Sequence, residues 1–234
     1  HVAGVPLYVV HVSCLDAIEP IMHAREKGWN VWGETCTQYL FIDETALEKP
    51  DFEGAKYVYT PPPRHKSNQE HLWKALQADV LSAVSTDHCP FNWPEQKGLG
   101  RDDFSKIPNG GPGIENRLHM IHEFGVRGAR FDMNRFVQLT STNIAKLFGL
   151  YPKKGTIAPG SDADIVVWDP DRKHTITAKG QHSKVNYNLF EGTEVRGAAD
   201  VVLVRGQVIV EGDKLVAKPG AGKFVKRGPT GAAA

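Results

Sequence analysis

Two short apolar strings constrain this chain more than any other feature: Leu7-Tyr8-Val9-Val10-His11-Val12-Ser13 and Leu81-Ser82-Ala83-Val84-Ser85-Thr86-Asp87-His88-Cys89. Each is rich in β-branched residues and runs into a side chain able to bind a metal. An apolar run without polar alternation suits a strand buried on both faces, and such strands belong to parallel sheets covered by helices. A polar residue at the C-terminal end of such a strand stands where α/β folds keep their chemistry. One histidine and one aspartate are nevertheless fewer ligands than a working metal site uses. The two strings therefore read as part of a site.

The sequence between them alternates in the same sense. Leu15 to Lys27 places Ile18, Ile21 and Met22 at helical spacing, and Gly28 stands where a helix C-terminus favours glycine. Asn30 to Cys36 reads as a second strand, and Tyr57-Val58-Tyr59-Thr60 as a short extended segment halted by Pro61-Pro62-Pro63. Ser67-Asn68-Gln69-Glu70 has the form of a capping box opening a helix over His71 to Ala78. Strand, helix, strand, helix, strand is the unit of a parallel sheet, yet about three such strands are visible where a closed barrel needs eight.

From Pro90 to Pro112 the pattern gives way to a loop rich in Gly, Pro, Asn and charge, a length that points to a functional loop or to disorder. Helical spacing resumes at Ile114, Leu118, Ile121 and Phe124, then over Asn134 to Leu139 and Ser141 to Phe148, closed by Gly149. Beyond Tyr151-Pro152 the turn-forming stretch Gly155 to Asp164 leads into a strand over Ile165 to Trp168, stopped by Asp169-Pro170. Val195, Val201 to Val204 and Val208 to Val210 follow as short strands separated by Arg205-Gly206 and Glu211-Gly212 turns, a small β-module. Lys218 to Ala234 is a tail rich in Gly, Lys, Pro and Ala, expected to lie extended on a partner surface or to be partly disordered. No internal repeat is visible.

A chain of 234 residues that is 41% hydrophobic can bury a sizeable core as one large domain or two smaller ones. Its 28 basic and 27 acidic side chains leave a net charge of +1, so no global field favours nucleic acid or an anionic membrane. Three cysteines, Cys14, Cys36 and Cys89, fit free thiols packed as small apolar groups in a reducing compartment, and hence a cytoplasmic protein. No apolar stretch approaches the roughly 20 residues that span a bilayer. The start, His1-Val2-Ala3-Gly4, has neither initiator methionine nor signal-peptide charge and is expected not to be the natural beginning.

Six motifs taken in order point further. Tyr8 to Ser13, Gly33-Glu34-Thr35-Cys36-Thr37-Gln38-Tyr39-Leu40, Thr60-Pro61-Pro62-Pro63-Arg64, Thr86-Asp87-His88-Cys89, Lys106-Ile107-Pro108-Asn109-Gly110 and Lys154 to Asp164 together closely resemble the dihydropyrimidinase/D-hydantoinase family of cyclic amidohydrolases. The resemblance runs over nearly the whole chain. It implies an α/β fold: the C-terminal part of a (β/α)8 metal-dependent hydrolase barrel over residues 1–150, the C-terminal portion of a flanking β-sandwich over 151–217, and an extended tail over 218–234. It also implies two divalent metals, zinc foremost, bridged by a carboxylated lysine and a hydroxide. His11 matches the ligand that ends the sixth barrel strand, and Asp87 the ligand and proton-exchanging residue that ends the eighth. Thr60 and Asn109 fall where the family meets the cyclic amide with backbone groups.

The family's His-x-His, its bridging lysine and a further histidine precede the matching segment, so the expected partner is the N-terminal half of the same enzyme, within a homotetramer whose subunits the tail touches. By itself the chain would be inactive and would expose strand faces normally covered. The implied reaction opens dihydropyrimidines or hydantoins to N-carbamoyl amino acids in pyrimidine catabolism, with cyclic ureides as small-molecule substrates. The alternatives are a non-catalytic assembly module of dihydropyrimidinase-like type and a related enzyme such as allantoinase or dihydroorotase. On residues alone, a strand-end histidine or aspartate is commonly structural, and Thr60 and Asn109 are explained by turn formation. His88, adjacent to Asp87, reads as a supporting or structural residue, and His65, His71, His119, His122, His174 and His182 as surface or packing residues.

Overall fold

The computed structural model describes residues 2–230. His1 and the end of the expected tail, 231–234, lie outside the described residues. Three short strands, β1 (Leu7–Val9), β2 (Val31–Cys36) and β3 (Ala83–Ser85), form a parallel sheet in the order β1-β2-β3. Leu7 pairs with Val31 and Glu34 with Ala83. Helix α1 (Leu15–Glu26) joins β1 to β2 and buries Ile18, Ile21 and Ala24, and Gly28 beyond it has left-handed backbone, φ 70°.

Gly33 on β2 shows how closely the layers meet. A Cβ there would stand 2.9 Å from Ile21 Cδ1 and 3.0 Å from Leu81 Cδ2, so a larger residue would push α1 off the sheet. The first amide of α1, on Leu15, donates to Asn68 Oδ1 at 2.9 Å, which ties α1 to the start of α2 (Asn68–Gln77). Helix α2 buries Leu72, Trp73, Ala75 and Leu76 against the same core. Leu72 and Leu76 are fully buried, each worth roughly 1.5–3 kcal/mol relative to exposure. On the outer strand β1, by contrast, Leu7 is 53% exposed, and Val10 just beyond it is 47% exposed.

Several local expectations give way to tertiary partners. Residues 57–60 form no strand: a 3-10 turn covers Glu53–Tyr57, and Val58, itself extended, donates its N–H back to Ala55 O. The capping box does not form. Ser67 already has helical backbone and caps nothing; its hydroxyl meets His65 Nδ1 at 2.9 Å, while Glu70 accepts from Arg130 Nη1 at 2.9 Å. The helices expected over 134–139 and 141–148 are one run, α3 (Arg117–Ile121) having preceded it: α4 (Met133–Val137), a π-helical turn over Gln138–Thr142, and α5 (Asn143–Leu147).

The β-module is an antiparallel sheet of β4 (Ile165–Thr175), β5 (Glu194–Val204), β6 (Gln207–Glu211) and β7 (Lys214–Leu215), in that order. Its strands are longer than expected. Asp169-Pro170 does not stop β4, because the register shifts between Asp169 and Lys173 and the proline sits where no ladder donor is needed. The Asp169 carboxylate accepts there from the amides of Asp171 and Arg172. Val195 and Val201–Val204 lie on the single strand β5.

The sheet packs on α3 through rings. His119 and His122 contact Trp168 with centroids 5.7 and 5.2 Å apart, and their Nδ1 atoms lie 2.9 Å from Gly197 O and Arg196 O. His174 meets His119 edge-on at 4.5 Å, so these three histidines are packing residues as expected. Cys36 is buried, but Cys89 is exposed and does not pack as an apolar group, since it follows the sheet rather than lying in it. The described part of the tail returns to its own chain, with Gly228 N donating to Gly149 O at 2.7 Å. Among the described residues no helix is long and apolar enough to cross a membrane.

Candidate active site

His11 and Asp87 follow the two outer strands β1 and β3 and stand at the same, C-terminal edge of the parallel sheet. With β2 between them, their strands are two spacings apart, about 10 Å. Both have left-handed backbone, φ 43° and 46°. That conformation is a minority state for residues other than glycine, and the chain also adopts it at Asp51, Phe52, Asp79, Ala129 and Arg205.

The chain on either side holds these turns in place. Directly after His11, Val12 N donates to Glu34 O at 2.8 Å and Val12 O accepts from Thr35 Oγ1 at 2.7 Å. Directly before Asp87, Ser85 O accepts from Thr37 Oγ1 and Thr86 O from Gln38 Nε2, at 3.2 and 3.1 Å. Strand β2 and the turn after it therefore fix both neighbours.

Thr60 and Asn109 are brought together, the threonine hydroxyl donating to Asn109 Oδ1 at 3.0 Å. Their segments also join the chain beyond Asp87. His88 and Gly111 form a parallel bridge, Cys89 N donates to Gly111 O at 3.1 Å, and Gly110 N donates to Val58 O at 3.0 Å. Gly110 has φ 144°, and a Cβ there would lie 2.2 Å from Cys89 O, so this approach requires glycine. Arg64 Nε reaches Ser13 Oγ at 3.3 Å and links the stretch after Thr60 to the stretch after His11.

His88 is structural. Its Nδ1 accepts from Gly113 N and Ile114 N at 3.1 and 3.3 Å, and burial lowers its pKa, which keeps the ring a neutral acceptor. The reason differs from the expected alternation of strand faces, since neither Asp87 nor His88 lies within β3.

A polar cluster on the sheet escaped the sequence reading. Glu34 accepts from Tyr8 OH at 2.8 Å and from Ser85 Oγ at 2.7 Å, and Cys36 Sγ lies 3.2 Å from Ser85 Oγ. Arg117 Nη1 donates to Val84 O at 3.0 Å from α3. Burial, reinforced by Glu34, pushes the Tyr8 phenol up, and burial pushes the Cys36 thiol up to about 12, so both stay protonated. Burial also lowers the Arg117 pKa, and the Glu34 carboxylate opposes that shift. The available signal was the period of two: Trp32, Glu34 and Cys36 share one face of β2, and a carboxylate in mid-strand requires partners.

The donor chemistry of His11 and Asp87 suits a divalent metal, but two ligands are fewer than a metal site uses. Among the described residues no group of three or more His, Cys, Asp or Glu side chains is arranged to hold a metal ion. These residues alone therefore do not complete a metal centre.

The chain is α/β, a parallel sheet with its candidate polar residues at the C-terminal edge followed by an antiparallel sheet. It belongs to the amidohydrolase family, whose profile matches residues 11–209. The chain is 54% identical over 230 residues to a D-hydantoinase of Geobacillus stearothermophilus, covering 98% of this chain and 49% of that protein. It is 45% identical over 226 residues to a dihydropyrimidinase of Rattus norvegicus, covering 96% and 43%. The crystal structure of dihydropyrimidinase from Brevibacillus agri matches with a TM-score of 0.96 at 57% identity, over 99% of this chain and 50% of that one. An L-hydantoinase from Arthrobacter aurescens matches at 0.86 and 35%, over 96% and 49%. The chain spans about half the length of the curated relatives it matches.

Proposed function

We propose that this chain is the C-terminal half of a metal-dependent cyclic amidohydrolase that opens dihydropyrimidines or hydantoins to N-carbamoyl amino acids. The observation that carries the reading is the pair His11 and Asp87, both in left-handed backbone at one edge of the parallel sheet. The D-hydantoinase and dihydropyrimidinase names of the relatives supply the substrate class.

In this reading, residues 1–150 contribute the last barrel strands, 151–217 a share of a β-sandwich and 218–234 a tail against a neighbouring subunit of a homotetramer. His11 and Asp87 would hold part of a pair of divalent metals, zinc foremost, with the remaining ligands supplied by the N-terminal half. Such metals, when bound, polarise the scissile carbonyl and acidify water at neutral pH. Asp87 takes a proton from the attacking water and returns it to the leaving ring nitrogen, general base and then general acid. The main chain at Thr60 and Asn109 meets the flat donor and acceptor edge of the ureide ring. Three free cysteines support a reducing, cytoplasmic setting.

The test is Asp87→Asn in the complete enzyme, with turnover of dihydrouracil and hydantoin followed by release of the N-carbamoyl product. The expected result is a fall in kcat of about 10²–10⁴-fold with thermal unfolding little changed. Unchanged turnover would remove the assignment.

A further inference from the structure

Lys97 is fully buried in the long loop between β3 and α3, and its surroundings are neutral groups of an unusual kind. Its Nζ donates to Val58 O at 2.8 Å and to Pro108 O at 2.6 Å, and it stands 5.6 Å over the ring of Phe91. A buried ammonium is costly unless its protons find good acceptors, and a site that needed filling alone would be served by Met or Leu. The two carbonyls belong to separate segments, one lying two residues before Thr60 and the other one residue before Asn109. Val58 O also accepts from Gly110 N at 3.0 Å, so three chain segments converge on one point behind the Thr60–Asn109 contact. Burial pulls the Lys97 pKa down to about 8, and Cys89 opposes that shift.

We infer that Lys97 is a positioning residue that fixes the Thr60 and Asn109 segments relative to each other, so that their main-chain groups meet a cyclic ureide at one spacing. The inference rests on the reading of Thr60 and Asn109 as substrate contacts. It makes no use of Asp87, so a failed proton-transfer assignment would leave it standing. Lys97 would act through the main chain of these segments rather than on the ring itself.

The test uses Lys97→Met and Lys97→Gln in the complete enzyme, with amide hydrogen exchange at Gly110 and steady-state kinetics on dihydrouracil. Lys97→Met is expected to accelerate Gly110 exchange by about tenfold and to raise KM by about tenfold with kcat nearly unchanged, the pattern of lost uniform binding. Lys97→Gln, whose amide retains two N–H donors, is expected to restore part of both. Unchanged exchange, or a fall in kcat at constant KM, would overturn the inference. Faster exchange with an unchanged KM would also overturn it, and would place the fault in the substrate reading of Thr60 and Asn109. Should Lys97→Met not fold, the same two readouts on Lys97→Gln decide the matter.

Discussion

At the N-terminal end of the parallel sheet, Arg25 and Arg135 both pair with Asp79, at 3.1 and 2.8 Å, and Arg135 also donates to Leu76 O and Leu81 O. At the C-terminal end, His11 and Asp87 sit in left-handed turns, and the hydrogen bonds around them hold their neighbours' main chain rather than their own rings and carboxylates. The same three strands thus end in an ionic knot on one side and in two left-handed turns on the other. On the proposed function, stability is concentrated where the strands begin and chemistry where they finish.

Breaking the knot should cost stability without touching the reaction. Arg135→Met removes the pair with Asp79 and the bonds to two carbonyls, and is expected to lower unfolding free energy by about 2–3 kcal/mol, read from urea denaturation. In the complete enzyme, turnover per folded molecule should stay within about twofold of the parent, the reverse of Asp87→Asn. If Arg135→Met abolished turnover in protein that remains folded, the two ends would not be separable.

A smaller effect sharpens the contrast from the β-module. Burial lowers the pKa values of His119 and His174; the bond to Gly197 O opposes the His119 shift while His174 and Arg172 add to it, and the Arg172 main chain opposes the His174 shift while its charge adds to it. For groups with depressed folded-state values, the unfolded chain binds protons first. Their stabilisation is complete above the ordinary histidine value and is lost as pH falls through the depressed one. Unfolding free energy measured from pH 7 to pH 5 should therefore decline, and His119→Phe should make that decline shallower. An unchanged slope would show that the ring cluster between α3 and β4 does not titrate with folding.

What could be read from the sequence follows from how local each cause is. The two apolar strings announce parallel strands and the residues that end them, but burial on both faces holds for Ala83 and Val84 of β3 and not for β1, whose Leu7 is 53% exposed. Ser67 to Glu70 and Asp169-Pro170 misled because each is a local rule overridden by partners far along the chain, Arg130 for Glu70 and a shifted β5 register for Pro170. Glu34 lay within a recognised motif, yet its cluster depends on Tyr8 and Ser85 from flanking strands, 26 and 51 positions away. Lys97, one lysine in a loop full of Gly and charge, carries no sequence sign that two distant carbonyls converge on it.

The central claim is that His11 and Asp87 are this chain's share of a metal site completed by sequence outside it. The most direct test is the metal-to-protein ratio of the purified 234-residue chain, with intact mass to establish that no second polypeptide is present, measured beside its turnover of dihydrouracil and hydantoin. The account predicts no stoichiometric metal pair and no turnover for the chain alone. Two metals per chain together with turnover would contradict it.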